Sequence, residues 1–319
     1  MSALSQLFPP KPSFTEDDIP DLAEKVFLVT GSNTGLGKEV ANILYAKDAI
    51  VYIAARNKAK AQSAMDEIRS RNPKSTGALK FLELDLSDLR SCSSAANRFL
   101  AAESRLDALF NNAGVLLPPQ GSKSAQGYEL QLGTNCLGHF ALTTKLTPLL
   151  QSTARTSPKG SVRVLWVSSS AAEAAAPKEG VPLDNLDYHL DESAMFKYGV
   201  SKAGNYFQAM EFAKRFGDNG IKSVAMNPGN LRSELARDSG YLFGHFHHFI
   251  SYPPTNGAYT ELYAAFSPDV NNGSWVIPFG RVGKIKSSLQ DGTKDESEGG
   301  TGAARKFWEW QEEQVRPYL

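Results

Sequence analysis

Six short apolar runs, at residues 26–30, 50–55, 79–84, 106–110, 162–167 and 223–226, are separated by longer stretches with helical spacing. Almost every residue in these runs is apolar, so strands built from them must be covered on both faces. Strands that alternate with helices join in parallel through crossovers. The pattern predicts an α/β fold: one doubly wound domain with a mostly parallel sheet of about seven strands and helices on both faces. The seventh strand is expected at residues 275–277, where the apolar signal is poorer.

No linker breaks the alternation before residue 240, so residues 23–319 read as one domain. Residues 1–22 hold Pro9, Pro10, Pro12 and Pro20 and an acidic run, Glu16 to Asp18. They read as an irregular arm that packs over the body or trails from it. Around residues 239–254 the texture turns aromatic, with Tyr241, Phe243, Phe246 and Phe249 among His245, His247 and His248. This stretch reads as a lid over an apolar substrate pocket, with packing of the following helix as the alternative. No acid or cysteine accompanies the histidines, and no metal is expected. Residues 287–302, polar and rich in glycine, are expected to form a mobile loop. Residues 303–316 should form a last helix docked by Phe307, Trp308 and Trp310.

Lys plus Arg and Asp plus Glu number 34 each, so nothing suggests a nucleic-acid or acidic-membrane surface. Cys92 and Cys136 have neither metal-ligand spacing nor a disulfide framework, which fits a reducing compartment. The first residues lack the pattern of a secretory signal, and no apolar run approaches the ~18 residues of a membrane span. A cytoplasmic protein with no membrane partner is expected.

The first apolar run ends in Gly31, Ser32, Asn33, Thr34, Gly35, Leu36 and Gly37, and a helical pattern follows at once. Glycine reaches positive φ and lets backbone N–H groups approach a pyrophosphate at the positive end of that helix. A glycine-rich turn without a ligand is the alternative. After the second run stands Arg56, with no acid beside it. A carboxylate there would accept from a ribose 2′-hydroxyl, whereas a guanidinium pairs with a 2′-phosphate. NADP(H) is therefore favoured, with NAD(H) as the alternative.

Further on, Tyr198 and Lys202 stand four residues apart in a helical stretch and so share one helix face. Alone, the pair is equally a solvated surface. Taken with Thr30 to Gly37, Asp85-Leu86, Asn111 to Gly114, Asn135, Val167 to Ser170 and Asn227 to Gly229, it resembles the short-chain dehydrogenase/reductase family. The motifs stand in that family's order over roughly residues 25–235. The wording around Asn135 is most similar to its retinol-dehydrogenase-like and fungal reductase branch.

The resemblance implies a Rossmann-type fold and a catalytic set of Asn135, Ser169, Tyr198 and Lys202. It implies that Asp85 and Leu86 meet adenine, that Asn112, Ala113 and Gly114 line the adenine–ribose side, and that Pro228 and Gly229 close over nicotinamide. Ser233 would bind the carboxamide, and Lys202 would grip the ribose and reach Asn135 through a water. Pairing into homodimers through the helices around Asn135 and Tyr198 is a further implication. A free phenol has a pKa of about 10, and Lys202 together with the positive charge of oxidised nicotinamide should draw that of Tyr198 down towards working range. The expected function is an NADPH-dependent carbonyl reductase or alcohol dehydrogenase. Its expected substrate is a small hydrophobic organic molecule, cyclic or polyketide- or terpenoid-like. The rival is a dinucleotide-binding scaffold with a non-redox role, such as cyclisation, isomerisation or regulatory binding. Residues 171–194 form an insert that is either a substrate-side loop or a surface elaboration.

Overall fold

Each of the six apolar runs is a strand in the computed structural model, which describes residues 3–232 and 251–319. They are β1 (Val26–Thr30), β2 (Ile50–Ala55), β3 (Ala78–Glu83), β4 (Ala108–Asn111), β5 (Val162–Val167) and β6 (Ile221–Met226). β7 (Trp275–Ile277) follows where expected, and β8 (Arg281–Gly283) adds an eighth strand. The sheet runs β3-β2-β1-β4-β5-β6-β7-β8. Only the last pair is antiparallel, with Val276 opposite Val282. Sequence order reverses between β1 and β4, the switch point outside whose carboxyl ends doubly wound sheets bind ligands.

Side chains alternate along each strand and feed two cores. Phe27 and Val29 of β1 join the face covered by α2 (Gly35–Ala46), α3 (Lys58–Arg71) and α8 (Pro254–Phe266). Leu28 joins the opposite face, covered by α4 (Leu89–Ala102), α5 (His139–Arg155), α7 (Ala194–Phe216) and α10 (Ala303–Val315). Burial of each such side chain stabilises the fold by about 1.5–3 kcal/mol. On α10, Phe307 and Trp308 are buried, and Trp308 meets Phe140 edge to face at 4.7 Å.

Three stretches differ from their sequence reading. The N-terminal arm packs over the body, one of its two readings, but is not irregular throughout: it opens with α1 (Ala3–Leu7), and Ile19 and Leu22 are buried in the α2–α8 core. Residues 287–302 are not a loop but α9 (Ser287–Thr293) and a 3₁₀ turn at Glu296–Glu298. Their polar residues form the wet face only; Leu289 and Gly292 are buried, and a Cβ on Gly292 would lie 2.6 Å from Phe207. Gly299 and Gly302 take positive φ, and Asp295 holds Arg305 at 3.0 Å, so the glycines turn the chain into α10.

The helical stretch expected between the fourth and fifth apolar runs is also interrupted. It begins as a wide π-helical segment, Leu132–Gly138, before α5. At its end a Cβ on Gly138 would lie 2.2 Å from the Leu86 carbonyl oxygen. The wide turn leaves carbonyls that need partners, and α7 supplies them. Asn205 Nδ2 donates to Asn135 O at 2.7 Å, and Gln208 Nε2 donates to Cys136 O at 3.0 Å.

Candidate active site

At the switch point lies a cleft of about 1170 Å³. The turn between β1 and α2 forms its floor. Gly31 and Gly35 take φ of +68° and +55°, which side chains with a Cβ resist. Thr34, the residue before α2, makes no side-chain cap, so the first amides of the helix are left for another acceptor. A Cβ on Gly37 would lie 2.5 Å from Asn112 Nδ2 and 3.0 Å from Gly31 O. Asn112 cannot swing aside freely, because Nδ2 donates to Thr30 O at 2.7 Å. Gly37→Ala is expected to lower stability by about 1–3 kcal/mol, measured by urea unfolding; an unchanged midpoint would refute this packing argument.

Gly31, Asn33, Thr34, Gly35, Leu36, Gly37, Arg56, Asp85, Leu86, Asn112, Ala113, Gly114, Ser169, Tyr198, Lys202, Pro228 and Gly229 all border the cleft. Ser32 does not: it is buried beneath the turn, where Oγ donates to Val29 O at 2.7 Å. Asn111 is buried too, tied to Thr143 Oγ1 at 3.0 Å. Ser233 and residues 239–250, with the histidine cluster, lie outside the described residues. Among the described residues no group of three His, Cys, Asp or Glu is placed to hold a metal, and no helix is long and apolar enough to cross a membrane.

The inner end of the cleft holds the polar groups. β5 delivers Ser169, whose Oγ accepts from Ala171 N at 3.2 Å and keeps its own proton to donate. Tyr198, on α7, is 6% exposed. Burial pushes its phenol up to about 12, while the hydrogen bond with Ser169 pulls the other way. Burial thus outweighs the part of the downward shift expected from Lys202. Lys202 Nζ sits 5.7 Å from the Tyr198 ring centre and donates instead to Val167 O at 2.8 Å. Burial also brings the Lys202 ammonium down to about 8.

Asn135 stands behind this face rather than in it. Its Nδ2 donates to Val115 O at 3.1 Å and to Ser201 Oγ at 2.9 Å, and its Oδ1 accepts from Val115 N at 2.9 Å. A Cβ on Gly114 would approach Asn135 Oδ1 at 3.2 Å and Lys202 Nζ at 3.6 Å, so this glycine lets the two come together. Asn205 makes the link directly: Oδ1 accepts from Lys202 Nζ at 3.4 Å while Nδ2 holds Asn135 O. Its place three residues after Lys202, on the same helix face, was the sequence signal for that role.

The insert serves two purposes. Ala171, Ala174 and Ala175 border the cleft, in and after α6 (Ala171–Ala174). Near its far end, Asp191 pairs with Lys197 at 2.6 Å and accepts from Gln120 at 3.0 Å, folding that part onto a neighbouring loop.

Sequence reading also passed over Glu261 of α8. It is fully buried, and neither carboxylate oxygen meets a hydrogen-bond partner among the described residues. Burial pushes its pKa up to about 8, with Lys202 pulling it back. A lone acid amid the small and apolar residues of 257–265 was the available signal.

A sequence profile described as short chain dehydrogenase matches residues 25–181. Over its full length the chain is 51% identical to a short-chain dehydrogenase/reductase of Phomopsis amygdali, across 97% of that protein. It is 45% identical to the short-chain dehydrogenase/reductase bet4 of Neocamarosporium betae, covering 100% of this chain and 94% of the relative. A solved structure of an uncharacterized protein from Mycobacterium paratuberculosis is similar with a TM-score of 0.71 at 28% identity, covering 95% of this chain and 97% of that one.

Proposed function

The chain belongs to the short-chain dehydrogenase/reductase family, and on that premise we propose that it is an NADP(H)-dependent carbonyl reductase, in reverse an alcohol dehydrogenase. One observation carries the reading: Ser169, Tyr198 and Lys202 border the same cleft as the glycine turn. The turn at Gly31, Gly35 and Gly37 holds the pyrophosphate, Asp85 the adenine, and Pro228 with Gly229 the nicotinamide side. When bound, nicotinamide would supply the hydride in reduction and accept it in oxidation. Tyr198 gives its proton to the carbonyl oxygen, Ser169 donates a hydrogen bond to that oxygen, and Lys202 holds the ribose.

Leu116, Leu130, Met195 and Leu231 border the cleft and make it fit for a hydrophobic ketone or alcohol. Cys92 and Cys136 are free and buried, which suits the reducing cytoplasm in which we place the enzyme.

Arg56 is exposed at the cleft edge just after β2, where a guanidinium can pair with a 2′-phosphate. Titration calorimetry should show NADPH binding more tightly than NADH. Arg56→Ala should weaken NADPH by about 10- to 100-fold and leave NADH nearly unchanged. Equal weakening of both would remove Arg56 as the reader. Binding of neither by the unaltered protein would sink the oxidoreductase reading.

A further inference from the structure

Helix α1 lies at the carboxyl ends of the strands, far in sequence from everything it touches there. Gln6 is 8% exposed, and both ends of its amide are hydrogen-bonded. Its Nε2 donates to Glu173 Oε2 at 3.1 Å, across 167 residues, and its Oε1 accepts from Asn227 Nδ2 at 2.9 Å, across 221. One residue earlier, Ser5 O accepts from Arg281 Nη2 at 2.8 Å, and Arg281 Nε donates to Pro278 O at 2.8 Å.

The two partners of Gln6 belong to segments that border the cleft. Glu173 lies in α6, between Ala171 and Ala174, four residues after Ser169. Its other oxygen accepts from Lys286 N at 2.9 Å, just before α9. Asn227 precedes Pro228, and its Oδ1 accepts from Gly229 N at 3.1 Å. The segments after β5, β6 and β7 are thus tied to one five-residue helix.

An amide suits this bridge because it offers a donor to the carboxylate and an acceptor to the Asn227 amide together. A carboxylate at position 6 would meet Glu173 as a like charge, and an alanine would remove the partner of Glu173 Oε2 and of Asn227 Nδ2 while each residue kept its other hydrogen bond. Segments held by few contacts of their own open locally unless something ties them down.

We infer that Gln6 is a positioning residue that clasps the Glu173 and Asn227 segments together, making the N-terminal arm a working part of the substrate end of the cleft. The inference rests on the oxidoreductase reading for its kinetic consequence and on geometry alone for the clasp.

The test uses the full chain with Gln6→Ala and Gln6→Glu. Hydrogen–deuterium exchange is followed over residues 170–176 and 227–232, together with calorimetric NADPH binding. Steady-state reduction of the bicyclic ketone 1-decalone gives KM. Both segments should exchange faster by about fivefold or more, with Gln6→Glu at least as severe as Gln6→Ala. KM should rise by about fivefold or more, and NADPH affinity should fall by a smaller factor, because the loosened segment reaches only the nicotinamide side of the cofactor. Unchanged exchange at both segments in both variants would overturn the clasp. Faster exchange with an unchanged KM would confine Gln6 to the fold and overturn its role at the site. If the unaltered protein reduces neither 1-decalone nor any other ketone, the proposed activity fails, and the exchange result still decides the clasp.

Discussion

Tyr198→Phe should lower kcat for ketone reduction by about 10²- to 10⁴-fold while NADPH still binds. The substitution keeps the ring that α7 buries and removes only the hydroxyl, the group that faces Ser169 in the cleft. Because burial raises the phenol to about 12, Tyr198 holds its proton at neutral pH and is ready as the acid in reduction. Oxidation needs the phenolate, so its rate should climb with pH through the neutral and mildly alkaline range. Steady-state NADPH consumption, paired with calorimetry on the same sample, separates the two effects. Turnover within about tenfold of the unaltered protein would remove Tyr198 as the proton donor. Loss of NADPH binding together with turnover would mean that the variant has disturbed the cleft instead.

The second large effect concerns stability. Glu261→Gln should stabilise the protein at pH 7 by about 3 kcal/mol, because folding the wild type requires Glu261 to take up a proton. In the unfolded chain this carboxyl ionises near its usual 4.5, whereas in the fold it does so at about 8. Below the lower value both states are protonated and the difference between the two proteins is small. As pH rises from 4.5 to 8 the unfolded state alone loses the proton, and the wild type falls progressively behind. Above about 8 the gap stops widening, since both states are then ionised. Urea unfolding of both proteins at pH 5, 7 and 8.5 reads this directly. A gap that is the same at all three would show that Glu261 is not a buried neutral acid. The ionised carboxylate would also favour the Lys202 ammonium, so the variant leaves only Cys136 to oppose burial at that lysine.

Much of the architecture could be read along the chain because it is a local property. An apolar run such as 162–167 can bury all its side chains only between two helical layers, and β5 does so. Glycines at 31 and 35 permit a backbone that other residues resist, so the turn was legible wherever the rest of the chain went. The four-residue step from Tyr198 to Lys202 sets both on one face once the segment is helical.

Residues 287–302 show where this reasoning stops. Their polarity described the exposed face of a short helix, and only the docking of Leu289 and Gly292 near Phe207 makes that helix form. The π-helical segment at Leu132–Gly138 likewise depends on amides more than sixty residues away, Asn205 and Gln208, arriving to pair its carbonyls. Gln6 acquires its two partners only when the chain's start is brought to loops it could not have announced.

The same division runs through the chemistry. Which groups are present, and that Tyr198 and Lys202 share a face, followed from residue identity and helical spacing. The direction in which Tyr198, Lys202 and Glu261 shift did not, because desolvation is set by everything packed around a group. Those neighbours come from distant parts of the chain, and only the assembled fold brings them together.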